Sequence, residues 1–287
     1  MRPVDAGVFR TYAVQCCIMR SSSVEAYRKI RGGVAGWAPI HAGGLSDMNF
    51  SKDENQELLG LFEGLRVADV RDGMDWMMLH HRGSMDPGIR PLFRTRAVGI
   101  ARTCRYLPYD DPIPTMKPEE YTKWSSWYYL QVCTYPWMNE IEPGDFCVID
   151  QSGVNAGLMG SNNSLAGFKS GARGYVTNGG VRDTDEMILE KVPFWSAFVS
   201  QTMVQGRLRY DSMDMAVSVG GVVVNPGDVV VGDGDGIVVV PRNTARDVAK
   251  HARHELENDK VGRLKLYKEL GMPLDESVAD TTAQGHP

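Results

Sequence analysis

The chain has 287 residues, 43% apolar and 23% charged, values that exclude a disordered or low-complexity protein. Its 31 basic and 36 acidic residues leave a net charge of −5 with no basic block to offset it, which argues against nucleic acid as a partner. No apolar run approaches the ~18 residues of a membrane-spanning helix, which argues against a membrane partner.

Residues 1–52 read as an N-terminal extension, with Gly32, Gly33, Gly36, Gly43 and Gly44 marking loop. Arg10 and Arg20 interrupt its apolar stretch, which lacks the form of a signal peptide. The cysteines, Cys16, Cys17, Cys104, Cys133 and Cys147, are scattered without a CxxC pair and read as reduced thiols of a cytoplasmic protein. From Asp53 the pattern turns helical, with Leu58, Leu59, Phe62 and Leu65 at helix spacing behind first-turn acids. Residues 88–107 read as loop and then strand. Pro118 opens a second helix with Glu119 and Glu120 beside it. Its aromatics, Trp124, Trp127, Tyr128 and Tyr129, read as core and subunit contacts, because no basic residues are interleaved to make a platform for bases. Pro143-Gly144-Asp145 turns into a buried strand, Phe146–Asp150. Residues 161–170 form a short helix and Gly174–Thr177 the next strand, and this alternation implies parallel pairing. Val217–Val224, Val229–Val231 and Ile237–Val240 follow as three strands joined by tight turns. Asn243 caps a long helix to Gly271, apolar along Val248, Ala252, Leu256, Leu264 and Tyr267, and the tail beyond Pro273 is polar.

Two segments carry chemistry. Gly157-Leu158-Met159-Gly160-Ser161-Asn162-Asn163 puts small residues where a strand end enters a helix. Backbone N–H groups there can face an anion with the helix dipole behind them; the plainer reading is a tight turn with an Asn/Ser cap. Gly179-Gly180-Val181-Arg182-Asp183 puts a guanidinium beside a carboxylate at a strand end. A hard cation such as Mg²⁺ needs carboxylate oxygen and tolerates water in its other positions. The adjacent guanidinium can hold developing enolate charge; the plainer reading is a surface ion pair. His80-His81 reads as structural, and His251, His254 and Glu255 as a solvated helix face, since HxxHE is not the metalloprotease HExxH. Asp233-Gly234-Asp235-Gly236 begins like a calcium loop, but its twelfth position is Thr244 rather than Glu.

Taken together, the two segments resemble a known family. Gly160 and Arg182 stand 22 positions apart, and the run ends Arg182-Asp183-Thr184-Asp185-Glu186. A glycine, twenty-odd residues, Arg-Asp, two residues and an acid make the signature of the 4-hydroxy-4-methyl-2-oxoglutarate/4-carboxy-4-hydroxy-2-oxoadipate aldolases of the RraA-like family. Leu65–Val70, Arg96–Thr103, Val148-Ile149-Asp150, Gly220-Gly221-Val222, Pro226-Gly227-Asp228 and Asp233–Pro241 are similar to that family's other conserved runs, so the resemblance spans residues 58–241. It implies the swivelling β/β/α fold of an α/β protein, a layered sheet sandwich with flanking helices, in a catalytic domain at 53–242 followed by a C-terminal helix and tail at 243–287.

The resemblance also implies an activity: a divalent-metal-dependent carbon–carbon lyase, aldolase or decarboxylase, acting on a 2-oxo acid through a pyruvate-type enolate in a homotrimer or hexamer. In that reading Asp183 binds Mg²⁺ or Mn²⁺ and Arg182 stabilises the enolate. Gly160, Ser161, Asn162 and Asn163, with Arg182, hold the substrate's carboxylate. The regulator of ribonuclease activity A shares the fold, so a non-catalytic protein that binds a partner enzyme is the alternative, beside a hydrolase or tautomerase of a related oxo acid. One position departs from the aldolases, which carry an acid directly after the glycine where this chain has Ser161. Those enzymes also take an acid from a neighbouring subunit near the C-terminus, for which Glu255 and Glu257 are the candidates.

Overall fold

Valine-rich runs between turn residues become strands, and the helices between them return the chain to the same end of one sheet. The computed structural model describes residues 50–278; the extension expected at 1–52 lies outside the described residues up to residue 49, as does the tail from residue 279. In chain order the elements are α1 (Lys52–Phe62), α2 (Val67–Trp76), β1 (Arg90–Pro91), β2 (Ala97–Pro108), α3 (Pro118–Gln131), β3 (Asp145–Asp150), β4 (Gly157–Met159), α4 (Ser161–Ser170), β5 (Gly174–Val181), α5 (Thr184–Leu189), β6 (Phe194–Val199), β7 (Leu208–Met213), β8 (Val217–Val219), β9 (Val222–Val224), β10 (Val229–Asp233), β11 (Gly236–Val240) and α6 (Ala245–Leu270).

The main sheet runs β1-β6-β5-β3-β2-β10-β11, with β4 alongside β5 and β7 alongside β2. Strands β2, β3, β5 and β6 are parallel, which the strand–helix–strand alternation predicts for β3 and β5, and β10 returns antiparallel to β2. Side chains alternate across it. On β3, Phe146 and Val148 point into a core shared with the β8–β9 hairpin, while Cys147 and Ile149 point to the other face, among residues including Tyr128, Trp137 and Met187. On β10 and β11, Val230 and Val239 join the hairpin side, and Val229, Val231, Val238 and Val240 join α1, α2 and α6. The result is a hairpin layer, a sheet layer and a helix layer, the β/β/α arrangement that the family resemblance implies.

Two sequence expectations change. Val217–Val224 is not one strand but the β8–β9 hairpin, because Gly220 (φ 56°) and Gly221 (φ 75°) both take the left-handed conformation of a tight two-residue turn. The long helix is not capped by Asn243. The Thr244 N–H bonds the Pro241 carbonyl at 3.0 Å, tightening residues 242–244 into a 3₁₀ turn, and α6 begins at Ala245. Its end at Gly271, left-handed at φ 64°, is as expected.

Candidate active site

The 22-residue spacing of the glycine and the arginine has a structural cause. Strand β4 leads into Gly160 and α4, the chain crosses back, and β5 leads into Arg182-Asp183 and α5. β4 and β5 pair in parallel, with Met159 opposite Val181, so the two strand-to-helix turns lie side by side at one end of the sheet. The Arg182 N–H donates to the Met159 carbonyl at 3.0 Å and locks the turns together.

Gly160 is required by proximity rather than by backbone conformation. A Cβ there would stand 2.4 Å from Asp183 Oδ2, and one on Gly157 would stand 2.7 Å from the Arg182 side chain and from the Thr202 carbonyl. Gly160 is also the N-cap of α4 and has no side chain to offer, so no side chain caps that helix. The Ser164 N–H pairs with the Gly160 carbonyl at 3.0 Å, and the N–H groups of Ser161, Asn162 and Asn163 in the first turn have no partner among the described residues. Asp183 sits at φ 55°, ψ 41°, a left-handed conformation that costs most side chains energy and that Asp tolerates better than most. Arg182 Nε donates to Asp183 Oδ1 at 2.9 Å, and both side chains are about a third exposed.

The predicted site residues Gly160, Ser161, Asn162, Asn163, Arg182 and Asp183 therefore lie on two adjacent strand-to-helix turns. Beneath them the glycine pair rests on a buried polar frame. Gly179 presses on Gln151, whose Oε1 accepts from Thr177 at 2.7 Å and whose Nε2 donates to the Ala156 carbonyl at 3.0 Å.

Three further side chains connect to these residues that the sequence analysis did not single out as site residues. Tyr129 on α3 lies beside Gln205 and within the field of Arg182; burial raises its phenol pKa, and Gln205 and Arg182 pull it partly back. Gln205 is buried, donates to Ser125 Oγ at 2.8 Å, and keeps a buried Oε1 without a partner among the described residues. Glu190, the residue after α5, accepts the Ser161 hydroxyl at 2.6 Å. Neither Tyr129 nor Gln205 has a local signal, since helix α3 and the loop before β7 come together only in the fold.

The weaker candidates lie elsewhere. His80 is exposed beside Asp75 at 3.4 Å, His251 stacks on Trp76, and Glu255 accepts the Trp76 indole N–H at 2.8 Å. Both Asp233 oxygens take backbone N–H groups, from Val67 at 2.9 Å and from Asp235 at 2.8 Å, so this residue ties α2 to the β10–β11 turn. A cavity of about 540 Å³ lies near the opposite ends of the parallel strands, among Leu59, Arg96, Phe168, Arg173 and Pro193, away from Arg182 and Asp183.

The donor set bears on which cation could sit here. Among the described residues no group of three or more His, Cys, Asp or Glu side chains could hold a metal ion. Asp183 keeps one oxygen, Oδ2, free of the arginine, facing the small Gly160. A single carboxylate suits a hard cation that keeps most of its waters, and does not suit zinc or a caged calcium.

Layered β/β/α architecture with two glycine-rich turns side by side at parallel strand ends defines the structural class. The sequence model of the RraA-like family, described as Aldolase/RraA, matches residues 67–239, and the chain belongs to that family. A protein of Halalkalibacterium halodurans, provisionally named 4-hydroxy-4-methyl-2-oxoglutarate aldolase, is 29% identical over 127 residues, covering 43% of this chain and 59% of the relative. A protein of Deinococcus radiodurans with the same provisional name is 34% identical over 98 residues, covering 34% of this chain and 61% of the relative. The chain thus spans about three fifths of the length of these curated relatives. Streptomyces coelicolor RraAS2, described as an unusual member of the RNase ES inhibitor RraA family, superposes with a TM-score of 0.57 at 26% identity, covering 72% of this chain and 96% of that one.

Proposed function

We propose that this protein is a divalent-metal-dependent lyase that cleaves a carbon–carbon bond of a 2-oxo acid, by retro-aldol cleavage or decarboxylation, through a pyruvate-type enolate. The observation that carries this reading is the contact of Gly160 with the Asp183 carboxylate, which puts the open start of α4 next to Arg182. The first-turn N–H groups of α4 would hold the substrate's carboxylate with the helix dipole behind them. Arg182 would lie against the keto oxygen, and its guanidinium would hold the negative charge that develops there as the bond breaks. Asp183 would hold Mg²⁺ or Mn²⁺, which supplies Lewis-acid polarisation of the carbonyl when bound. Tyr129 and Gln205 would form the wall on the Arg182 side. The provisional names of the relatives support this reading. As in the sequence reading, the protein would work in the cytoplasm as a homotrimer or hexamer.

The test is loss of oxaloacetate absorbance with purified protein, with Mg²⁺ or Mn²⁺ and then with excess chelator. Turnover that needs the metal supports the lyase. Equal turnover in chelator removes the metal from the mechanism. No turnover of any oxo acid favours the second reading, a non-catalytic regulator of a partner enzyme, which the likeness to RraAS2 supports.

A further inference from the structure

Glu190 is a carboxylate that the scheme above leaves unused, and its surroundings are those of a working group. One of its oxygens, Oε1, accepts the Ser161 hydroxyl at 2.6 Å. The other, Oε2, is buried and has no hydrogen-bond partner among the described residues. A buried, unpaired carboxylate oxygen is destabilising, so it is not there to hold the fold together. The position is set firmly. Asp183 opens α5 as its N-cap, and the Glu190 N–H closes it on the Glu186 carbonyl at 2.8 Å. A single short helix therefore fixes both carboxylates, roughly 10 Å apart along its axis. Ser161 bonds Glu190 and directly follows the Gly160 that faces Asp183.

We propose that Ser161 and Glu190 form a proton relay for retro-aldol cleavage, an inference that rests on the lyase reading. The O–H bond of the substrate's alcohol breaks and its proton passes to Ser161 Oγ, while the Ser161 proton passes to Glu190 Oε1. The carbon–carbon bond breaks, the alcohol carbon becomes a carbonyl, and the bonding pair becomes the enolate held by Arg182. The proton then returns along the same path to the enolate carbon and gives the 2-oxo acid product. No oxidant or second substrate is required. Glu190 acts through Ser161 and so counts as a positioning residue. Decarboxylation reaches the same enolate by loss of CO₂ and has no alcohol proton to remove, so it depends on the relay much less.

The experiment compares aldol cleavage of 4-hydroxy-4-methyl-2-oxoglutarate with oxaloacetate decarboxylation in the wild type, Glu190→Gln, Glu190→Asp and Ser161→Ala, each also titrated with Mn²⁺ by calorimetry. Expected for Glu190→Gln and Ser161→Ala is a loss of aldol kcat of about 10²-fold or more, a much smaller loss in decarboxylation, and partial recovery in Glu190→Asp. Mn²⁺ affinity should move by less than the ~10-fold that follows loss of a group supporting a metal ligand. Undiminished aldol cleavage in Glu190→Gln overturns the relay, and so do equal losses in both reactions with Mn²⁺ binding weakened in step. A wild type that decarboxylates but cannot cleave the aldol overturns the relay and leaves the lyase standing, whereas one that does neither removes both.

Discussion

Arg182 and Asp183 are neighbours in sequence with separable duties, and substitution can tell them apart. Loss of a charge-stabilising donor costs on the order of 10²–10³ in turnover. Arg182→Ala is expected to lose at least that much while staying folded, and Arg182→Lys to recover little, because a lysine lacks the planar fork. Steady-state kinetics beside a thermal melt checks both, and near-normal turnover in folded Arg182→Ala would end the enolate role. Asp183→Asn keeps a side chain that tolerates the left-handed backbone. Its melting temperature should stay close to the wild type while calorimetry finds Mn²⁺ binding gone; retained binding would place the cation elsewhere. Ser161 gains a sharper test than its sequence offered. Because its hydroxyl lies 2.6 Å from Glu190, Ser161→Asp alone sets two carboxylates against each other and should weaken activity. Ser161→Asp combined with Glu190→Leu removes the conflict, and a double-mutant cycle should return a strong coupling between the two positions. Additive effects would mean the side chains do not act together.

The elements depend on glycines as contact points. Gly73 on α2 faces α6 so closely that a Cβ would meet the Val248 carbonyl at 2.5 Å and the Ala252 nitrogen at 2.8 Å. Gly73→Ala must push two helices apart and should cost about 1–3 kcal/mol, read as a lowered melting temperature with the metal site unchanged. Gly160→Ala should do the reverse, displacing the Asp183 carboxylate and weakening Mn²⁺ binding more than it lowers the melt; an unaltered Mn²⁺ isotherm would contradict the packing seen here.

Elements with strong local patterns were legible in the sequence. Helix α1 has its apolar spacing, β3 and β10–β11 their continuous apolar runs, and α6 its stripe and terminal glycine. The site loops stood out only through their resemblance to the RraA-like aldolase signature, since small residues at a strand end and an Arg-Asp pair also fit a tight turn and a surface ion pair. Strands β4, β6 and β7 were not read. β4 is three residues long, and the edge strand β7 carries Arg209 and Asp211, which pair outward with Asp110 and Arg105 rather than marking a core. Glu190 and Gln205 were missed because their partners lie 29 and 80 residues away in the chain.

For the whole molecule, the buried thiols give a clear pH dependence. Cys104, Cys133 and Cys147 are all buried, and burial raises the pKa of each, that of Cys133 from 9.0 to about 12. The unfolded chain ionises first, so the stability these groups contribute is complete below about pH 9 and declines as pH rises through the folded value. Thiol counting with a chromogenic disulfide at pH 8 should find these three only after denaturant is added; immediate reaction of all five would contradict their burial. The assembly proposal is tested by light scattering. Leu189, 82% exposed, and Val199, 62% exposed, lie near the strand ends that carry the site. A trimeric or hexameric mass is expected, and a monomer at micromolar concentration would refute it.

Strand β2 takes its partners from widely separated parts of the chain, and this has a consequence for biosynthesis. Its residues Ile100–Arg105 find β3 within fifty residues, but the stretch from Ala97 to Ile100 pairs with Val229–Gly232. A ribosome delivers β10 only after most of the domain has emerged, at ~5–20 residues per second. Until then one rim of β2 waits with its amide groups unpaired, open to any passing extended peptide. The nascent chain therefore has an interval of vulnerability set by translation speed, and slowing elongation before β10 should lengthen it, with more aggregate and less native protein recovered from the same message.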